Sequence, residues 1–310
     1  VIVSHLSSFA GLEVVPFDPG MALPEELPPV AWRLEVEDFD ADPEEFAALV
    51  AAFRAEVPAE AVQALVIGEW GAAYESPAPL GLLVEAAGEW TALRHLFIAD
   101  LISEQCEISW ITHDDLTPLL RAYPELTTLW VRGGHELRLE PLRHDGLREL
   151  VVQTGGLPGA VSRAVAGCDL PGLRRLDLWL GRPDYEGDTT VDDLAELLAG
   201  TRLPALRHLA LCNADNADEV TRAVAHAPVV RQLEVLDLSK GVLTDVGGEA
   251  LLAGQPLTHL RRLDLRHHFL SAECAARVVA ALPGVDVDVA DRQEIQVYGD
   301  REYRFTAVGE

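Results

Sequence analysis

The sequence predicts an α/β solenoid, a curved array of strand–turn–helix units with a concave parallel sheet inside and helices on the convex side. Three observations predict it. Leu233-x-x-Leu236-x-Leu238, Leu260-x-x-Leu263-x-Leu265 and Leu282-x-x-Val285-x-Val287 are copies of one apolar pattern. Related copies begin at Ala31, Val62, Leu93, Leu126, Leu147, Leu173 and Leu206, so that starts recur every 21 to 33 residues. Between most copies lies a short run with apolar residues at helical spacing. Repetition at such a period marks supersecondary units that stack because none can bury its apolar face alone. Each unit returns the chain to the same end, so its strands are parallel. Helices are wider than strands, so the stack bends with the strands inside.

Residues 1–29 precede the array and are read as an N-terminal cap, with a hairpin turning near Ala10-Gly11 and a proline-rich connector after it. Residues 30–290 form about ten units. In the first, Ala31–Val36 is the strand, and Asp42-Pro43 opens a helix burying Phe46, Leu49, Val50 and Phe53. The second strand carries Leu65 and Ile67, and its helix Leu80, Leu83, Ala87 and Trp90. The third carries Leu96 and Ile98, a long acidic loop from Ser103 to Trp110, and a helix expected to be capped by Thr112 and Asp115. The segment between the fourth and fifth strands is too short for a good helix. An insertion, Gly181–Asp188, follows the sixth strand, and Thr190 with Asp193 caps the next helix. Residues 291–310 alternate in polarity, with Ile295–Val297 and Tyr303–Ala307 read as a capping hairpin about Gly299-Asp300.

Composition narrows the function. With 24 Lys and Arg against 51 Asp and Glu, the formal net charge is −27. Such a surface repels phosphate backbones and anionic lipid, so neither nucleic acid nor a membrane is expected as a partner, and a basic protein or peptide is. No stretch approaches the roughly 18 apolar residues of a membrane span. The first residues, VIVSHLSSFAG, lack the basic and long apolar regions of a secretory signal. Cys106, Cys168, Cys212 and Cys274 stand far apart, which argues against disulfides or zinc and fits a reducing cytoplasm. Phosphate-loop, dinucleotide-binding and nucleophile-elbow motifs are missing, so no cofactor and no catalytic residue is assigned.

The pattern resembles the leucine-rich repeat superfamily, whose motif is L-x-x-L-x-L-x-x-N/C-x-L. Leu243 and Leu270 match its final leucine, and Leu233–Val289 looks most like the helix-containing subtype of ribonuclease inhibitor. The resemblance implies a right-handed leucine-rich repeat solenoid. The Asn/Cys position falls on Trp70, Leu101, Gly134, Gly155, Gly181, Ala214, Gly241 and His268, so no asparagine ladder is present and glycine-permitted turns are expected instead. The whole chain, including EISWITHDDLTPLL and DLWLG, also resembles bacterial leucine-rich repeat proteins of unassigned activity. These are often encoded near radical-SAM and ATP-grasp proteins, which implies a scaffold beside modifying enzymes.

Candidate contact residues are those between and just after the strand leucines, which face the concave side. One column reads Phe97, Trp130, Val151, Asp177, Ala210, Asp237, Asp264; the next includes Arg132, Trp179, Cys212 and Arg266; Arg175 lies in the column before. Tryptophan and arginine dominate interface energetics, so Trp130, Trp179, Phe97, Arg132, Arg175, Asp177, Asp237, Asp264 and Arg266 form a candidate binding face. The alternative is that the aromatics pack on neighbours and the Asp/Arg pairs are contacts between adjacent strands. Loops 69–76, 103–110 and 182–188 leave from one end of the sheet and carry Trp70, Tyr74, Trp110 and Tyr185, a second candidate surface. His267-His268 lacks ligands at metal spacing, and Asp114-Asp115 and Asp192-Asp193 suit helix first turns. The expected function is a non-enzymatic protein-interaction scaffold. The alternative is an accessory or catalytic component of a peptide or small-molecule modification pathway acting through the rim loops.

Overall fold

The computed structural model describes residues 2–309. It is a curved solenoid of strand–turn–helix repeats built on one 12-stranded sheet in which the strands follow chain order. β1 (Ser8–Phe9) and β2 (Leu12–Pro16) form an antiparallel hairpin turning at Ala10-Gly11, both at positive φ. β2 then pairs in parallel with β3 (Ala31–Leu34), so the N-terminal cap continues the sheet. The parallel series goes on through β4 (Ala64–Ile67), β5 (His95–Ile98), β6 (Thr128–Arg132), β7 (Glu149–Gln153), β8 (Arg175–Gly181), β9 (His208–Ala214), β10 (Val235–Asp237), β11 (Arg262–Asp264) and β12 (Asp286–Asp288).

The register is the one the repeat demands. Trp32, Leu65, Leu96, Leu129, Leu150, Leu176, Leu209, Leu236, Leu263 and Val287 are paired rung by rung. A slip of one residue would turn these leucines to the concave side, so burial enforces the alignment. The main core lies between this face and the helices α1 (Pro43–Glu56), α2 (Leu80–Glu85), α3 (Thr117–Ala122), α4 (Gly159–Gly167), α5 (Ala195–Ala199), α6 (Ala217–Val224), α7 (Asp245–Ala253) and α8 (Ala272–Ala281). Asp42 caps α1 as expected, its carboxylate accepting from the Glu44 amide, with Pro43 in the first turn. Asp193 holds the amide and hydroxyl of Thr190, both at 2.7 Å.

Several local expectations are corrected. Thr112 caps no helix: α3 begins at Thr117, and the Thr112 hydroxyl instead donates to the Tyr74 carbonyl, tying two loops together. The helix expected through Trp90 ends as α2 at Glu85 and tightens into a 3₁₀ turn. Between β6 and β7 no helix is described, as the short spacing predicts; α4 follows β7, a segment for which the sequence reading assigned no helix. The last hairpin pairs Gln296–Tyr298 (β13) with Arg301–Tyr303 (β14) in a separate sheet, because a two-residue turn at Gly299-Asp300 makes Tyr298 and Arg301 partners. Its second strand therefore ends before Phe305, and the following residues run elsewhere.

The turns leaving the strands also differ from expectation. Of the glycines at the family's Asn/Cys position, only Gly181 has positive φ. Asn213, Lys240 and His267, one position earlier, adopt the left-handed conformation, at roughly 1–2 kcal/mol each for a residue with a Cβ. Imidazoles supply part of what an asparagine ladder would. His268 Nδ1 accepts from the Leu270 amide, so its Nε2–H donates to the Val289 carbonyl, each at 3.0 Å. His144 makes the same pair of bonds with the Leu147 amide and the Tyr123 carbonyl.

Candidate functional site

The concave face carries its own roof, made by the two ends of the chain. At the N-terminal side, Phe9 sits on Phe97 (centroids 5.9 Å apart), Trp130 (5.5 Å) and His95 (6.5 Å). Phe9, Ala31, Ala64, Val66 and Phe97 form an apolar cluster on the concave side, separate from the main core. Next to it lies a charge network around Asp100, whose side chain is fully buried. Arg33 donates to Asp100 Oδ2 at 2.7 Å, Arg132 to Oδ1 at 3.1 Å, and the Leu6 amide to Oδ2 at 3.0 Å. His5 bonds the Asp100 carbonyl at 2.9 Å, and the Ser103 amide donates to Ile2. Two guanidiniums on one buried carboxylate leave net positive charge, and Glu35, 2.8 Å from Arg33, offsets it. Burial lowers the Arg132 pKa, opposed by Asp100.

The other end of the chain covers the middle of the sheet. The Ala307 amide donates to the Lys240 carbonyl at 2.8 Å. Asn213, fully buried, accepts from the Val308 amide at 3.0 Å and donates to the Val308 carbonyl at 2.5 Å. Val308 joins Ile108, Trp179, Ala210 and Cys212 in a third apolar cluster, with Ile2 and Ala307 against it. The two ends thus meet over strands β5 to β9. Trp179 is only 8% exposed beneath them.

The predicted concave residues fall into three groups. Phe97, Trp130 and Arg132 belong to the N-terminal roof, with the Arg132 guanidinium 5.1 Å over Phe97 and the Trp130 indole donating to Glu149. Arg175 bridges Glu149 and Asp177 at 3.0 and 2.9 Å and lies over the Trp130 ring. Burial raises the Asp177 pKa, opposed by Arg175. Toward the C-terminal end, Arg262 contacts Asp264, Asp286 and Asp288, and Arg266 contacts Asp264 and Asp288. Asp237 accepts from the Ser239 amide at 2.9 Å. The arginines are thus compensated by carboxylates of their own and the adjacent strands. His208, facing the same sheet, is held neutral to about pH 4 by burial.

The rim residues come together in an open groove of about 310 Å³. Tyr74, Trp110, His135, Asp184, Tyr185 and Glu186 line it. The Tyr74 hydroxyl donates to Asp40 at 3.0 Å, and His135 Nδ1 lies 3.0 Å from Glu186. The insertion after β8 folds back onto Gly155-Gly156: Gly156 bridges Gly181, and the Arg182 amide donates to the Gly155 carbonyl. A Cβ at Gly156 would overlap the Tyr185 carbonyl, so this glycine sets the position of Tyr185. Gly309 lies against the Tyr185 ring, which joins the roof to the rim. Trp70, by contrast, is buried and donates to the Ser76 carbonyl, inside its loop.

Sequence reading missed the roof. Arg33 occupies the concave column one and two strands before Val66 and Phe97, so extending that column backwards finds it. Nothing in the sequence marks Asp100, Phe9, Asn213 or Val308 as partners. All four thiols are pushed up by burial, Cys106 to about 12 and Cys274 to about 11. That is opposite to the shift of an activated nucleophile. Among the described residues, no group of three His, Cys, Asp or Glu is placed to hold a metal ion, and no helix is long and apolar enough to cross a membrane.

No protein-family model matches the chain, and no curated protein does. Among solved structures, it is similar to a Bacteroides fragilis protein at 29% identity and TM-score 0.79, covering 91% of this chain and 78% of that one. An internalin from Listeria monocytogenes matches at 15% identity and TM-score 0.34, over 86% of this chain and 68% of that one.

Proposed function

We propose that this protein is a non-enzymatic protein-interaction scaffold, a helix-bearing solenoid of the ribonuclease-inhibitor-like type that presents its rim loops, and the uncovered charged end of its concave sheet, to a protein or peptide partner. One observation carries the reading. Trp110 is 59% exposed at the mouth of the rim groove, while the other five tryptophans are buried or half-buried. A large aromatic surface left in water, beside two tyrosines and on a rigid frame, has the composition of an interface anchor. The roofed middle of the sheet supports the rim as the accessible surface, and the raised thiols support a role without covalent chemistry. The unpaired, buried cysteines support a reducing compartment such as the cytoplasm.

A photo-crosslinking residue at position 110, with a control at Val279 on the convex helix α8, tests this in cells. Val279 is also exposed. A discrete protein adduct from position 110 and none from position 279 is expected. Equal adducts from both positions, or none from either, would reject the reading.

A further inference from the structure

We propose that the rim groove is a seat for a cationic side chain, an arginine or lysine presented by a basic partner peptide. The proposal rests on the scaffold reading above and names the chemistry of its partner. The strongest reason is a contrast within the molecule. The aromatics facing the concave sheet carry cations of the chain's own: Arg132 over Phe97 at 5.1 Å, Arg175 over Trp130 at 5.6 Å and Lys240 over Trp179 at 5.3 Å. Arg182 lies over Phe305 at 5.3 Å in the same way. Trp110 has no such cation among the described residues, and its ring stands open. A guanidinium or ammonium above an indole face is drawn to the ring quadrupole, and tryptophan is the best of the three rings for it.

Charge points the same way. Asp184 and Glu186 stand at the groove with side chains 75% and 61% exposed. Asp184 meets Arg182 only at 3.4 Å, and Arg182 is shared with Asp215 at 3.8 Å. Among the described residues lining the groove, His135 is the one basic side chain, and it counters Glu186 only when protonated. The chain as a whole carries −27, a field that draws cations and repels anions before contact. A groove of about 310 Å³ accepts one long side chain with its head group, and not a folded domain. Carboxylate oxygens match a planar guanidinium, and the tyrosine and tryptophan rings take the methylene stem.

Calorimetry at low ionic strength tests the seat with an acetylated, amidated Gly-Arg-Arg-Gly peptide against its citrulline counterpart, which keeps the shape and loses the charge. The arginine peptide is expected to bind at least tenfold more tightly. Trp110→Ala and Glu186→Gln should each weaken it at least fivefold. Glu273→Gln, on the convex helix α8, should leave it within twofold. Equal binding of the citrulline peptide overturns the proposal. So does an unchanged affinity in Trp110→Ala, or a loss in Glu273→Gln as large as in Glu186→Gln, which would mean diffuse attraction to an acidic surface. A position-110 crosslink with no preference for arginine would remove the cation seat and leave the scaffold reading standing.

Discussion

Replacing Asn213 by glycine should loosen the C-terminal roof without opening the solenoid. Asn213 sits at φ 56°, so glycine fits the backbone and only the amide side chain is lost. That amide makes two bonds to Val308 and one to the Thr154 carbonyl. With it gone, the seated tail keeps a buried N–H and C=O at Val308 with fewer partners, at about 1–3 kcal/mol each, or about 2–4 kcal/mol together after relaxation. Opposing forces are of similar size. Burial of Val308 contributes roughly 1.5–3 kcal/mol, while ordering a backbone residue costs roughly 1–2 kcal/mol. The tail is therefore held by a small difference, and the loss should appear as transient opening. Cys212 reports it, because its side chain lies in the same cluster as Val308 and is nearly inaccessible. Thiol labelling followed by mass spectrometry should show Cys212 reacting about 30- to 700-fold faster, since each 1.4 kcal/mol is about tenfold. Cys168, buried in the main core beneath the helices, controls for global unfolding. If the ratio of Cys212 to Cys168 labelling matches the parent protein, the tail does not depend on Asn213 and this account of the roof is wrong.

Asp100→Ala would leave Arg33 and Arg132, both nearly buried, without their shared carboxylate. A loss of about 3–5 kcal/mol in urea unfolding is expected, and a shift below about 1 kcal/mol would show that Glu35 and water suffice. Leu263→Ala removes a fully buried rung and should cost about 2–5 kcal/mol; an unchanged melting curve would contradict the register. His113 is held neutral to about pH 4 by burial, below its unfolded value near 6.5. Its folded pKa is the lower one, so its contribution is complete above about pH 6.5 and declines as pH falls toward 4, at up to about 1.4 kcal/mol per pH unit. The drop in urea midpoint from pH 7 to pH 5 should be smaller in His113→Gln, and an equal drop would remove this group from the account.

What the sequence disclosed follows from what repeats. The L-x-x-L-x-L spacing fixes which residues share a face, so the repeat alone aligns Phe97, Trp130, Val151 and Asp177, and they pair in that register. The rim was legible because Tyr74, Trp110 and Tyr185 all follow strands that end on the same side. The roof was not, because its contacts span long separations with no period behind them: Leu6 to Asp100, Asn213 to Val308. Thr112 misled for a different reason. Its spacing to Asp115 is that of a capping box, but the hydroxyl found the Tyr74 carbonyl across a neighbouring loop. His268 shows the reverse case. It occupies the position where the family's asparagine would stand, and its ring makes the ladder bonds that residue identity alone did not suggest.

Tryptophan and arginine on a concave sheet have two readings, as anchors for a partner or as supports for the chain's own ends. Burial and charge compensation weigh between them residue by residue. Trp179 is covered by Val308 and Lys240, and Phe97 by Phe9 and Arg132, so a partner reaching either would have to displace chain already bound there. Arg262 and Arg266 already share three carboxylates, and a new acidic partner would compete with Asp264, Asp286 and Asp288 for them. Trp110 has none of these claims on it. Desolvating an exposed indole loses no existing contact, and a carboxylate that is paired weakly or conditionally gives up little when a stronger cation arrives. The differential free energy on binding is therefore largest where the molecule has spent least on itself, and that place is the rim.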